Sequence, residues 1–359
     1  MAYQNVGIPR FYINVFEYLN AIGRLHYTPE DADDDTNLEI VMTNPTHQKN
    51  LDKGGAYPTI RNTILPIFDI KLKDLIINHD NGGGYVAYLG HNFGPEQITS
   101  TIVETDNSFE AYENPLLIES NIINSANGIN NEYLLPYVSG FSIFKTSFGH
   151  QDTADRLKII FTPGDYDAGD DNHFPNGILL GSLLIGNYWD MPHNANVNLT
   201  IKHEYDGIDT TETLGGSTLS NARHLGARDW GNAGAWQLDG DPNFRTSRKS
   251  WDLTFSFLKD TSIMPRNAST GYWSETDEGY SDSHAPNDSF NINLVTGTDF
   301  FSAVYNRCCG SHLPFLFQPD KDNNNPDQFT ICKFVGNSLQ VRQMTPNLYQ
   351  VKVKIREVF

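Results

Sequence analysis

Apolar and polar residues alternate with a period of two along several stretches of this chain, the pattern of strands that bury one face. Val197, Leu199, Ile201 and Tyr205 alternate with Asn198, Thr200, Lys202 and Glu204. Trp251, Leu253, Phe255 and Phe257 alternate with Asp252, Thr254 and Ser256, and Tyr349, Val351, Val353 and Ile355 with Gln350, Lys352, Lys354 and Arg356. Shorter strands are expected over 85–89, 100–104, 156–162, 179–185 and 329–334, separated by segments dense in Gly, Asn, Asp and Pro, which mark turns. Many short strands with polar connections predict a mainly β protein of antiparallel sandwiches or barrels, not a wound α/β fold.

Helix is scarce. The spacing of Phe300, Phe301, Val304, Tyr305 and Cys308 predicts one short helix that starts at Asp299 as N-cap and stops at Gly310. A second stripe, Phe11, Val15, Leu19 and Ile22, fits a helix over 11–23, although its aromatics also suit a strand. Three segments are expected: an N-terminal arm over 1–59, a sandwich domain over 60–195 and a second β domain over 196–359. Long polar insertions at 214–248 and 266–290 exceed what a connection needs and are candidate interfaces. The acidic stretch 31–35 reads as a solvated loop.

A length of 359 residues suits two domains, and 12% aromatic residues imply a core rich in Phe and Tyr. Lys+Arg total 25 against Asp+Glu 44, a formal net charge of −19. With no run of Lys and Arg, nucleic acid is not an expected partner, and the acidity reads as a device for solubility. The first ten residues lack the form of a signal peptide, and no stretch reaches the roughly 18 apolar residues of a membrane helix. Three cysteines, two of them adjacent, are not a disulfide framework and fit synthesis in a reducing cytosol.

The constellations that carry chemistry mostly fail on spacing. Residues 81–85, Asn-Gly-Gly-Gly-Tyr, lack the Lys-Ser/Thr and following helix of a phosphate-binding loop and read as a turn before a strand. Cys308, Cys309, His312 and Cys332 are soft ligands, but adjacent cysteines on a helix diverge by about 100° and seldom share one ion, so buried inert thiols are expected. A Cys308–His312 nucleophile pair has no third group to orient it. Two oxygen-rich loops are candidates for calcium. Asp165, Asp167, Asp170 and Asp171 form one, and Asp320, Asp322, Asn324 and Asp327 the other, which has Asn325 where an EF-hand needs glycine and Ile331 where it needs an acid. Both read as solvated turns. No pair of carboxylates stands out for sugar hydrolysis. Trp230, Trp236 and Trp273 lie in the long polar insertions, where an indole can stack on a sugar or anchor a protein partner. No metal, cofactor or catalytic residue is expected.

Five segments of the last third carry a resemblance: 251–257 (WDLTFSF), 299–305 (DFFSAVY), 313–320 (LPFLFQPD), 329–334 (FTICKF) and 349–359 (YQVKVKIREVF). Together they resemble the distal and minor tail-tip proteins of tailed bacteriophages, which place a Trp-led strand, a short helix, a Pro-Phe-aromatic segment and a closing strand in this order. The resemblance covers 251–359, with a long insertion after Pro265. It implies a small β-barrel whose core holds Trp251, Phe255, Phe315, Phe317, Val351, Val353 and Ile355, with Phe315 and Phe317 as its plug. Residues 85–93, 157–161 and 178–186 resemble, more weakly, the galactose-binding-like sandwich of several tail proteins, and the opening 2–12 is similar to the start of structural proteins of marine phages.

The resemblance implies a virion structural protein made in the bacterial host cytoplasm. It would be a ring-forming or adaptor part of the tail tip or baseplate, whose partners are copies of itself and other tail proteins. The alternative is a carbohydrate-binding module that attaches the particle to host-surface glycan. An enzyme is not expected.

Overall fold

The computed structural model describes residues 5–23, 25–28, 49–50, 63–66, 81–89, 98–106, 116–122, 141–146, 156–163, 179–180, 182–205, 208–222, 247–265, 297–324 and 328–358. In chain order the strands are β1 (Arg10–Asn14), β2 (Leu25–Thr28), β3 (Lys49–Asn50), β4 (Thr63–Pro66), β5 (Gly82–Leu89), β6 (Ile98–Asp106) and β7 (Leu116–Ile122). They continue as β8 (Phe141–Thr146), β9 (Arg156–Pro163), β10 (Leu179–Leu180), β11 (Ser182–Asp190), β12 (Thr200–Glu204), β13 (Ile208–Glu212) and β14 (Thr218–Ala222). The last five are β15 (Arg248–Lys259), β16 (Phe315–Gln318), β17 (Thr330–Phe334), β18 (Gln340–Thr345) and β19 (Leu348–Glu357). Helix α1 (Val15–Ala21), a single turn α2 (Asp260–Ile263) and a π-helix over Phe301–Asn306 complete the described elements. Among the described residues no helix is long and apolar enough to cross a membrane.

The protein is mainly β and its sheets are antiparallel. The largest sheet has ten strands in the order β12-β15-β19-β17-β16-β1-β11-β5-β8, with β18 also on β19; β2-β4-β9-β6-β7 form a second sheet of five. The large sheet draws strands from all three segments expected from the sequence. The segment read as an arm supplies β1, which lies between β11 and β16: Tyr12 stands opposite both Tyr188 and Leu316. The two strands of the galactose-binding-like resemblance nearest β1, β5 and β11, belong to this sheet, whereas β9 belongs to the five-stranded one.

Among the described residues the sheet does not close into the barrel implied by the resemblance, because β1 takes the place beside β16 and carries the sheet onward to β11, β5 and β8. It curls nevertheless. Trp251 on β15 and Phe317 on β16 belong to strands separated by two others, about 14 Å apart in a flat sheet, yet their ring centroids are 5.3 Å apart. The curled face encloses one cluster in which Trp251, Leu253, Phe255, Phe315, Phe317, Val351, Val353 and Ile355 are all buried with Phe11 and Trp189. Phe11 is its hub, with ring centroids 5.3–6.1 Å from Phe300, Phe315, Phe317 and Phe334. On the opposite face Tyr12 packs with Tyr85, Leu184, Leu316 and Phe329.

Local structure departs from the expected pattern in three places. Residues 11–23 are strand and helix in succession: Asn14 ends β1 and its Oδ1 accepts the Glu17 N–H at 3.2 Å, which starts α1. The alternation along β15 breaks at Phe257, which is 69% exposed at φ 63°, while Leu258 takes the buried place. The register against β19 slips there, between Phe255 and Leu258, as a β-bulge does. The helix near residue 300 begins at Asp299, whose Oδ1 accepts the Ser302 N–H, and ends at Gly310 with φ 69°, but its turns are π-helical. In β11, Gly186 is fixed by close approach: a Cβ there would lie 1.9 Å from the Ile13 carbonyl oxygen.

Phe255→Ala is expected to destabilise the protein by about 3–5 kcal/mol through the cavity it leaves, whereas Phe257→Ser stays within about 0.5 kcal/mol. Urea unfolding of the two variants checks this directly.

Candidate functional site

Trp230, Trp236 and Trp273, the candidate sugar or partner contacts, lie outside the described residues, as do Asp165, Asp167, Asp170, Asp171 and Asp327 of the acidic loops. The described part of the second acidic loop is a local turn. Asp320 Oδ1 accepts the Asp322 N–H at 3.2 Å, and its carboxylate faces Gly7 and Asn5 of the N-terminal segment. Cys308 and Cys332 are buried in the aromatic cluster, and burial pushes both thiols well up; Cys309 is exposed, and all three are free. Among the described residues no group of three His, Cys, Asp or Glu side chains is placed to hold a metal ion.

The charged groups that matter inside the sheet stand far apart in sequence and carry no motif. Arg10 and Asp190 are register partners on β1 and β11, joined by two hydrogen bonds of 2.5 and 2.8 Å. Lys321 Nζ reaches the same carboxylate at 3.7 Å, and the Arg10 guanidinium lies 4.3 Å from the Tyr188 ring centroid. Burial alone would lower the Arg10 pKa; the hydrogen bond to Asp190 and the neighbouring charges reverse this and hold it raised. Beside it Tyr12 donates to Gln318 Oε1 at 2.8 Å, and Gln318 Nε2 donates to the Asn323 carbonyl oxygen. Burial pushes Tyr12 up to about 12.

A second polar group lies under α1. Arg307 is buried and donates to Asn187 Oδ1 at 3.3 Å, and desolvation lowers it to about 10. Glu17 is half-buried among Lys333, Cys308, Cys309 and Tyr85, and desolvation raises its carboxyl to about 7, partly offset by Lys333 and Asn14. These groups fix strands and helix to one another. They present no nucleophile with a base in hydrogen-bond reach.

Among the described residues two surface features stand out. Strands β13 and β14 form a hairpin that, among the described residues, pairs only with itself. Every residue from 208 to 221 is exposed; Leu214 at its tip is fully so, Leu219 is 60% exposed and Ile208 40%. Its turn is closed by the Thr213 N–H to the Ser217 carbonyl oxygen at 2.9 Å, with Gly216 at φ 80°.

The other feature is a basic area on the outer face of the sheet's C-terminal end. Because opposite residues on paired strands share a face, Lys352, Lys354 and Arg356 of β19 lie on the side away from the aromatic cluster. Register places Lys202, Arg248, Lys333 and Arg342 from β12, β15, β17 and β18 on that same side. Two carboxylates there form ion pairs, Glu204 with Arg356 at 3.1 Å and Asp252 with Lys202 at 3.2 Å, and Glu17 of α1 faces Lys333. Arg342, Lys352 and Lys354 have no carboxylate partner among the described residues. The sequence has no run of Lys and Arg, yet strand pairing gathers these cations on one side. The alternation in β19 was the visible signal; the flanking strands that complete the face come from distant parts of the chain.

Compared with known proteins, the chain matches no family model and no curated protein.

Arg10→Met leaves the Asp190 carboxylate largely uncompensated and is expected to cost roughly 3 kcal/mol, most of it regained in the double variant Arg10→Met with Asp190→Leu. Urea unfolding of the double-mutant cycle measures this. Glu17 gives a pH signature. Its folded value of about 7 lies above the ordinary 4.5, so its contribution to stability is complete below pH 4.5 and is lost as the pH rises through 7. Glu17→Gln is expected to gain on the order of 2 kcal/mol over the wild type at pH 8 and little at pH 4.5, read by denaturation across that range.

Proposed function

We propose that this chain is a structural protein of a virus particle, an oligomeric ring or adaptor component of a phage tail tip or baseplate, and not an enzyme. The observation that carries the reading is the hairpin of Ile208–Ala222. A two-stranded hairpin is marginal on its own in water, and one that exposes leucines on a well-packed sheet fits a protein whose partner surface lies on another chain. The segments that resemble tail proteins support it further. The Trp-led strand, the short helix, the Pro-Phe segment and the closing strand come together around one core.

Attachment to host glycan through Trp230, Trp236 and Trp273 is the alternative reading of the same chain. Purified particles of the virus that encodes this chain are expected to contain it in multiple copies at the tail, detected by mass spectrometry and labelled antibody. Its absence from particles overturns the reading. Binding to a glycan array that is lost on Trp230→Ala or Trp236→Ala favours the alternative.

A further inference from the structure

We infer that the exposed hairpin of one copy docks on the basic outer face of β18 and β19 of a second copy. The inference rests on the structural-protein reading and deepens it by naming both sides of the contact. Four observations converge. The hairpin carries Asp209 and Glu212 and no basic residue between 208 and 222, so it is a small anionic arm. The receiving face holds Arg342, Lys352 and Lys354 without a carboxylate partner among the described residues, in a chain whose formal charge is −19. A cationic surface kept on so acidic a chain is complementary to the chain's own acidic parts.

The apolar parts also match. Leu214 and Leu219 of the hairpin are exposed, and so are Met344 on β18 and Val335, whose N–H bonds the Lys354 carbonyl oxygen. Finally, β18 pairs only with β19 among the described residues, so its outer edge is open to a further strand. The two surfaces are different parts of one chain. Their contact therefore joins copies head to tail or by mutual exchange.

The test is charge reversal in the full chain. Two variants are made, Asp209→Lys with Glu212→Lys, and Lys352→Glu with Lys354→Glu, each checked for an unchanged thermal unfolding curve. Sedimentation velocity of the wild type is expected to show self-association that weakens at least about tenfold between ~50 and ~500 mM salt. Each variant alone is expected to be monomeric at concentrations where the wild type associates, and an equimolar mixture of the two to associate again.

A wild type that stays monomeric throughout, variants that assemble as it does, or a mixture that fails to recover, each overturns the docking. Duplex DNA bound by the wild type and released by Lys352→Glu with Lys354→Glu, at unchanged oligomeric state, reassigns the face to nucleic acid and also overturns it. Failure here with the chain still present in purified particles removes this contact alone. Absence from particles removes the structural reading itself.

Discussion

Five residues of β1 hold this structure together. Arg10–Asn14 are all buried, and they stand between β11 on one side and β16 on the other. Phe11 faces the aromatic cluster of the C-terminal strands, and Tyr12 faces the opposite cluster built on β5 and β11. The strand thus joins two groups of strands that are far apart in sequence, and it is fixed in register by the Arg10–Asp190 ion pair at one end and the start of α1 at the other. A single strand that contributes to both cores makes the stability of each half depend on the other.

That coupling leaves the outer features free to vary. The interior is closed by aromatic packing and by buried polar pairs such as Arg10–Asp190 and Tyr12–Gln318, and the hairpin of β13 and β14 and the cations beside β18 lie outside that core. Side chains kept exposed at such positions are available for contact with other molecules. The chain therefore carries a well-packed sheet, a separate anionic hairpin with exposed leucines, and a cationic face, the surfaces on which the proposed contact between copies draws.

How much of this was legible in the sequence follows from burial. The alternation of Val351, Val353 and Ile355 against Lys352, Lys354 and Arg356 marked β19 because one of its faces is buried and the other wet. The mainly β, antiparallel class followed from such stretches and from the turn-rich segments between them. Strand β1 showed no alternation because both of its faces are buried, and of the stripe Phe11, Val15, Leu19 and Ile22 only Phe11 belongs to it, while Val15 and Leu19 lie in α1. Phe257 fitted the period but not the structure, since a bulge cannot be read from apolar spacing. Arg10 and Asp190 stand 180 residues apart, and only the pairing of β1 with β11 brings them together. The open sheet, where a barrel was expected, has the same origin: nothing local announces that an N-terminal strand sits beside β16.

The central claim, that β1 makes one cooperative unit of the whole ten-stranded sheet, is tested most directly by native-state hydrogen exchange. Amides of β5 and β11 and amides of β15, β17 and β19 are predicted to open with the same free energy and the same denaturant dependence. Amides of β5 and β11 that exchange through a separate, lower-energy opening while β15 and β19 stay protected would contradict it.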